Sequence, residues 1–145
     1  MRPTTDRLAG SPLTGAVLTF LGLLALGTGV YFLAIRPALL PEDIRFTGID
    51  PAVLPQAFLD WLGIVFRTWG GFIAGLGIVI TGIGVAILAG DARWLRYGTA
   101  AGVLVAFGRF AYSNVVLSGD YLIFIASRFV VALVAAALLL WKPGP

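Results

Sequence analysis

Three arginines stand inside apolar stretches of this 145-residue sequence: Arg67, Arg109 and Arg128. A guanidinium is permanently charged, and its planar fork of donors matches a carboxylate or a phosphate. Glu42, Asp43, Asp60 and Asp120 are the carboxylates that could answer them. Ser113 and Asn114, with Tyr112 and Ser127, add neutral hydrogen-bonding groups at a similar level. Two chemistries fit this set. In one, the carboxylates fold onto the arginines and tie a loop to the helices; breaking such a buried pair costs about 3–5 kcal/mol. In the other, the arginines line a pocket for a carboxylate, a phosphate or a lipid head group.

Other chemistries find little material. The sequence has no Cys and no His, and its one Met is the initiator. Thiolate metal sites, disulfides, imidazole bases and the usual haem ligands are therefore excluded. No acidic spacing signals a metal site, and no cofactor is expected. Ser113 and Ser127 lack a nearby base that could make either a nucleophile. Asp60 and Asp120 could form a carboxylate pair, but at helix ends they read as caps or arginine partners. The isoelectric point is near 9.8. The ten basic residues are scattered, however, so no basic face for nucleic acid forms.

The arginines must be held by membrane helices. The chain is 59% hydrophobic and 12% charged, with a mean hydropathy of +0.98. A soluble domain is about 45–50% apolar and about 25% charged. Both a soluble enzyme and a disordered chain are thereby excluded. A span needs about 20 apolar residues, and four runs qualify: residues 13–35, 61–89, 97–117 and 121–141. The first is too long for the apolar core of a cleaved signal peptide. Only Ser118, Gly119 and Asp120 separate the last two, which predicts a tight antiparallel hairpin. The expected fold is all-α, a single membrane domain: an antiparallel four-helix bundle with a long Pro-rich first loop, residues 36–60. Pro41, Glu42 and Asp43 there suit the first turn of a short helix.

Orientation follows the basic residues near the span ends. Arg2, Arg7, Arg93, Arg96 and Lys142 fall on one side, Arg36 and Arg45 on the other. Both termini are expected in the cytoplasm and the Pro-rich loop outside. Trp94, Tyr97 and Trp141 then mark one interface, and Tyr31, Trp61 and Tyr121 the other. Counted by helical rise, Arg67, Arg109 and Arg128 lie about 9–12 Å below the outer boundary. Acidic and basic residues balance in that outer half, so the net charge of +3 belongs to the cytoplasmic side.

Small residues indicate how the spans pack. Gly15, Gly22 and Gly29 recur every seven residues, and Arg36 continues their stripe. Gly71 and Gly75 form one GxxxG, with Gly82 beyond; Gly98 and Gly102 form another. Each in-span arginine shares a face with such small residues, which points it inward. The faces serve either packing within the chain or a homodimer.

Arg67-Thr68-Trp69-Gly70-Gly71, then Gly75-Leu76-Gly77, then Gly108-Arg109, resembles DoxX-like small membrane proteins of bacteria, over roughly residues 29–140. The resemblance implies a four-span bundle in a bacterial inner membrane, with arginines on glycine-rich faces. Some relatives of that family associate with quinone-linked oxidoreductase complexes. The scarcity of chemistry, the glycine faces and the small size make the leading expectation a structural or accessory component of a membrane complex, without catalytic activity of its own. The alternative is binding or transport of a small anionic or amphipathic ligand in the arginine-lined pocket. The expected partners are the bilayer and a membrane protein or second copy.

Overall fold

Apolar runs and proline breaks divide the chain into helices in the computed structural model, which describes residues 12–120 and 122–141. Four helices are long and apolar enough to cross a membrane: α1 (Pro12–Val30), α3 (Gln56–Ala89), α4 (Arg93–Val116) and α5 (Leu122–Leu140). A π-helical turn, Tyr31–Ile35, prolongs α1. The short α2 (Pro41–Thr47) and a 3-10 turn, Pro51–Val53, lie in the first connection. No strand occurs among the described residues. Arg2, Asp6, Arg7, Tyr121 and Lys142 lie outside them.

The boundaries have local causes. α3 starts at Gln56, not at residue 61, because the chain is already helical once Pro55 has ended the loop. Its 34 residues extend about 51 Å, well beyond a hydrocarbon core of about 30 Å. Gly90, at φ 63°, closes α3 in the left-handed conformation that other side chains disfavour. The Asp91 carboxylate then accepts the Arg93 backbone N–H at 2.9 Å and starts α4 earlier than residue 97. In the first loop, Pro41 opens α2 and the Asp43 carboxylate accepts the Leu40 N–H at 2.8 Å. Asp50 caps the following 3-10 turn through the Ala52 N–H.

The four long helices form an open row rather than a closed bundle. Extensive packing joins α1 to α3, α3 to α4 and α4 to α5, each pair antiparallel. The reason lies in α3, which carries small residues on two faces. Gly70, Gly77 and Gly84 meet Gly29, Gly22 and Gly15 of α1 in antiparallel order. A Cβ on Gly77 would sit 2.8 Å from the Gly22 carbonyl oxygen. On its other face, Gly75 approaches Gly102 of α4, and Gly82 approaches Gly98. Backbones thus touch on both sides of α3, where dispersion replaces the hydrophobic drive that lipid removes. Every glycine in these stripes is occupied within the chain. The row leaves apolar side chains such as Leu24, Val131 and Leu138 exposed along its flanks, as a lipid-facing surface requires.

Candidate functional site

At the end of the row that carries α2, a cavity of about 560 Å³ opens between α3, α4 and the turn after α1. The α3 wall is Gln56, Leu59, Asp60, Gly63, Ile64 and Arg67. Steps of three and four put these residues on one helical face. The α4 wall is Arg109, Tyr112, Ser113 and Val116, with the same spacing. Arg36, Pro37 and Ala38 form the third wall.

Arg36 is the fixed member. The π-helical turn ends where the Arg36 N–H donates to the Tyr31 carbonyl at 2.8 Å. Its side chain is only 5% exposed, and Nη2 meets the Asp43 carboxylate at 2.9 Å. Nη1 donates to the Pro37 and Ala38 carbonyls at 3.0 and 3.3 Å. The guanidinium carbon stands 3.4 Å from the centre of the Phe66 ring, a cation–π stack. Arg36 thus ties the loop and α2 to the helices, the role that carboxylate pairing foresees for the other arginines.

Arg109 is positioned by an absence. Gly71 has no side chain, and the stem of Arg109 lies on the backbone there; a Cβ on Gly71 would be 2.5 Å from the Arg109 Cβ. The apolar stem is covered and the charged head reaches the cavity. Its Nε is buried without a hydrogen-bond partner. The Tyr112 ring lies 5.0 Å from the guanidinium carbon. Arg67, on the facing helix, is exposed and makes no hydrogen bond or ion pair among the described residues. Arg67 and Arg109 repel each other across the cavity. Beneath them the Ser113 and Thr68 hydroxyls are hydrogen-bonded at 2.7 Å, and Ser113 is 2% exposed. Gln56 Nε2 donates to Asp60 Oδ1 at 2.9 Å on the rim.

Charge decides what such a cavity can hold. Three arginines face one carboxylate, Asp60, and only Arg36 has an acidic partner. Two permanent cations without counterions, beside a hydroxyl and a phenol, offer hydrogen-bond donors and charge that suit an oxyanion.

The other expected site residues fall elsewhere. Arg128 is on α5, outside the cavity, where Nη1 donates to the Phe124 carbonyl at 2.7 Å. Asn114 donates to the Phe110 carbonyl at 3.0 Å and serves the turn between α4 and α5. Asp120 is exposed in that turn, and Glu42 is exposed on α2; neither forms an ion pair among the described residues. Asp43 lies behind the cavity wall, on Arg36. None of the three in-span arginines is buried: Arg67 is exposed, and Arg109 and Arg128 are half-buried. The expectation of buried arginines is corrected accordingly. The physical reason is that an open row gives them a cavity and a flank, not an enclosed core.

Sequence reasoning uses Arg36 for the glycine stripe, the orientation and the charge balance but not as a site residue, and it omits Gln56. The usable signal is that Gln56, Asp60 and Arg67 share one face of an otherwise apolar helix. No acidic cluster suited to a metal ion occurs among the described residues. Comparison with protein-family models, curated proteins and solved structures finds no match to this chain.

Proposed function

We propose that this chain is a multi-pass membrane protein that binds an anionic small molecule or head group in the cavity formed by Arg67 and Arg109. The observation that carries the reading is that both arginines face one cavity without an acidic partner. Uncompensated intramembrane charge is costly and marks function by default. On this reading the Pro-rich loop and the cavity face outward, both termini lie in the cytoplasm, and the membrane is a bacterial inner membrane. The uneven distribution of Lys and Arg supports that orientation, and the DoxX-like pattern supports the bacterial source.

A direct test is ligand binding by the purified protein in detergent. Short-chain carboxylates, inorganic phosphate and glycerophosphate are titrated against wild type, Arg67→Gln and Arg109→Gln. Binding of at least one anion, weakened in both variants while the fold is retained, supports the site. Equal binding by the folded variants and wild type refutes it.

A second reading is an accessory subunit of a membrane complex. The open row favours it, because α1 and α5 each pack extensively on only one neighbour. A stoichiometric protein partner retained through gentle extraction is its expected mark.

A further inference from the structure

We propose that Arg128 anchors an anionic phospholipid whose acyl chain lies in the groove between α4 and α5. This site is separate from the Arg67–Arg109 cavity and stands or falls independently of it. An apolar groove of about 260 Å³ is lined by Val103 and Phe107 of α4 and by Arg128, Val131, Ala132 and Ala135 of α5. Arg128 is its only charged wall. The α5 residues follow at steps of three and four, so the groove runs along the helix axis for about 10 Å. Ala132 and Ala135 are small, which leaves the groove open along this face of α5.

The Arg128 side chain runs backward along α5. Its guanidinium carbon lies 3.0 Å from the centre of the Phe124 ring, one turn nearer the start of the helix. A long basic side chain within a span lifts its charge toward the head groups in this way. Its one hydrogen bond among the described residues goes to the Phe124 carbonyl, and no carboxylate lies within 4.0 Å of it. Remaining donors therefore point to an acceptor outside the chain. Asp120, eight residues earlier, makes no ion pair with it.

A charge at one end of an apolar channel, directed toward the membrane boundary, matches one molecule with a phosphate above and a hydrocarbon tail below. No acidic side chain at the groove would meet a choline group, so an anionic head group is favoured over a zwitterionic one.

The test is native mass spectrometry from mixed micelles holding equal phosphatidylglycerol and phosphatidylcholine with identical chains. Wild type is expected to retain one phosphatidylglycerol in preference to phosphatidylcholine. Arg128→Gln is expected to lose that preference, and Ala135→Phe, which fills the groove and keeps the charge, to lose the bound lipid. Arg67→Gln is expected to retain it, which separates this site from the cavity. Absence of preference in wild type overturns the proposal. So does retention of the preference by folded Arg128→Gln, or of the lipid by folded Ala135→Phe. Loss of the lipid in Arg67→Gln alone would move it to the cavity and also overturn the proposal. If Arg128→Gln does not fold, Ala135→Phe and the wild-type preference decide the matter.

Discussion

The Thr68 and Ser113 hydroxyls meet at 2.7 Å and join α3 to α4 directly beneath the arginine cavity. Interhelical hydrogen bonds of this kind in a membrane average about 0.6 kcal/mol and reach about 1.7 kcal/mol. Thr68→Val and Ser113→Ala should each lower stability within that range. The double variant should lose less than the two losses added together. Reversible unfolding in mixed detergent measures the cycle, and full additivity would show that the bond contributes nothing.

Gly22 of α1 and Gly77 of α3 touch through their backbones, whereas Gly27 has open space around the position of a Cβ. Gly22→Val and Gly77→Val should separate the two helices and cost roughly 1–3 kcal/mol or more. Gly27→Ala should be neutral or stabilising by up to about 1 kcal/mol. The same unfolding measurement distinguishes them. Equal effects at Gly22 and Gly27 would refute the close approach.

Gly71 leaves room for the Arg109 stem. Gly71→Ala should therefore displace that side chain and weaken anion binding without removing a charge. Titration calorimetry with the anion that binds wild type best would show a loss of about tenfold, or roughly 1.4 kcal/mol. Unchanged affinity would detach Arg109 from the binding site.

Asp43 holds Arg36 and also caps α2. Asp43→Asn should weaken both contacts, by about 1.5–3 kcal/mol for the charged hydrogen bond. Backbone amides of residues 40–47 should exchange faster with deuterium. The freed Arg36 guanidinium should meanwhile raise anion affinity at the cavity. Unaltered exchange would mean that other contacts hold the loop.

Asp91 accepts hydrogen bonds from the Arg93 side chain and backbone, and the side-chain bond to Arg93 does most to hold its carboxyl below the ordinary value of 3.8. A lowered folded-state value adds stability above the unfolded one. That stability is lost as pH falls from about 4 through the lowered value. Arg93→Gln should move the Asp91 midpoint upward, toward 3.8, in a carboxyl-carbon NMR titration. No movement would refute the pairing.

Helix number was legible because the driving pattern is coarse: four apolar runs, three of them ended by proline, glycine or a three-residue turn. The start of α3 was not, since the polar residues Gln56 and Asp60 obscure helix that continues past the apolar run. Arg67 and Arg109 could be brought together from spacing alone, because their helices are sequence neighbours with matched glycine faces. Arg128 could not. Depth along a span says nothing of which side of a neighbour a residue faces, and α5 packs extensively only on α4 in the row. Arg36 was hidden for another reason: the widened π-helical turn and the fold of the Pro-rich loop bring Asp43 to it, and neither leaves a periodic signal.

The row also bears on how the protein is made. Every extensive interface joins a long helix to the one synthesised just before it. A newly inserted span meets its partner already in place and need not wait for a later segment to close a ring. Such nearest-neighbour topologies lose little entropy in forming each interface. Assembly can thus keep pace with translation, and a chain stopped after α4 would already contain both glycine seams and all three walls of the arginine cavity.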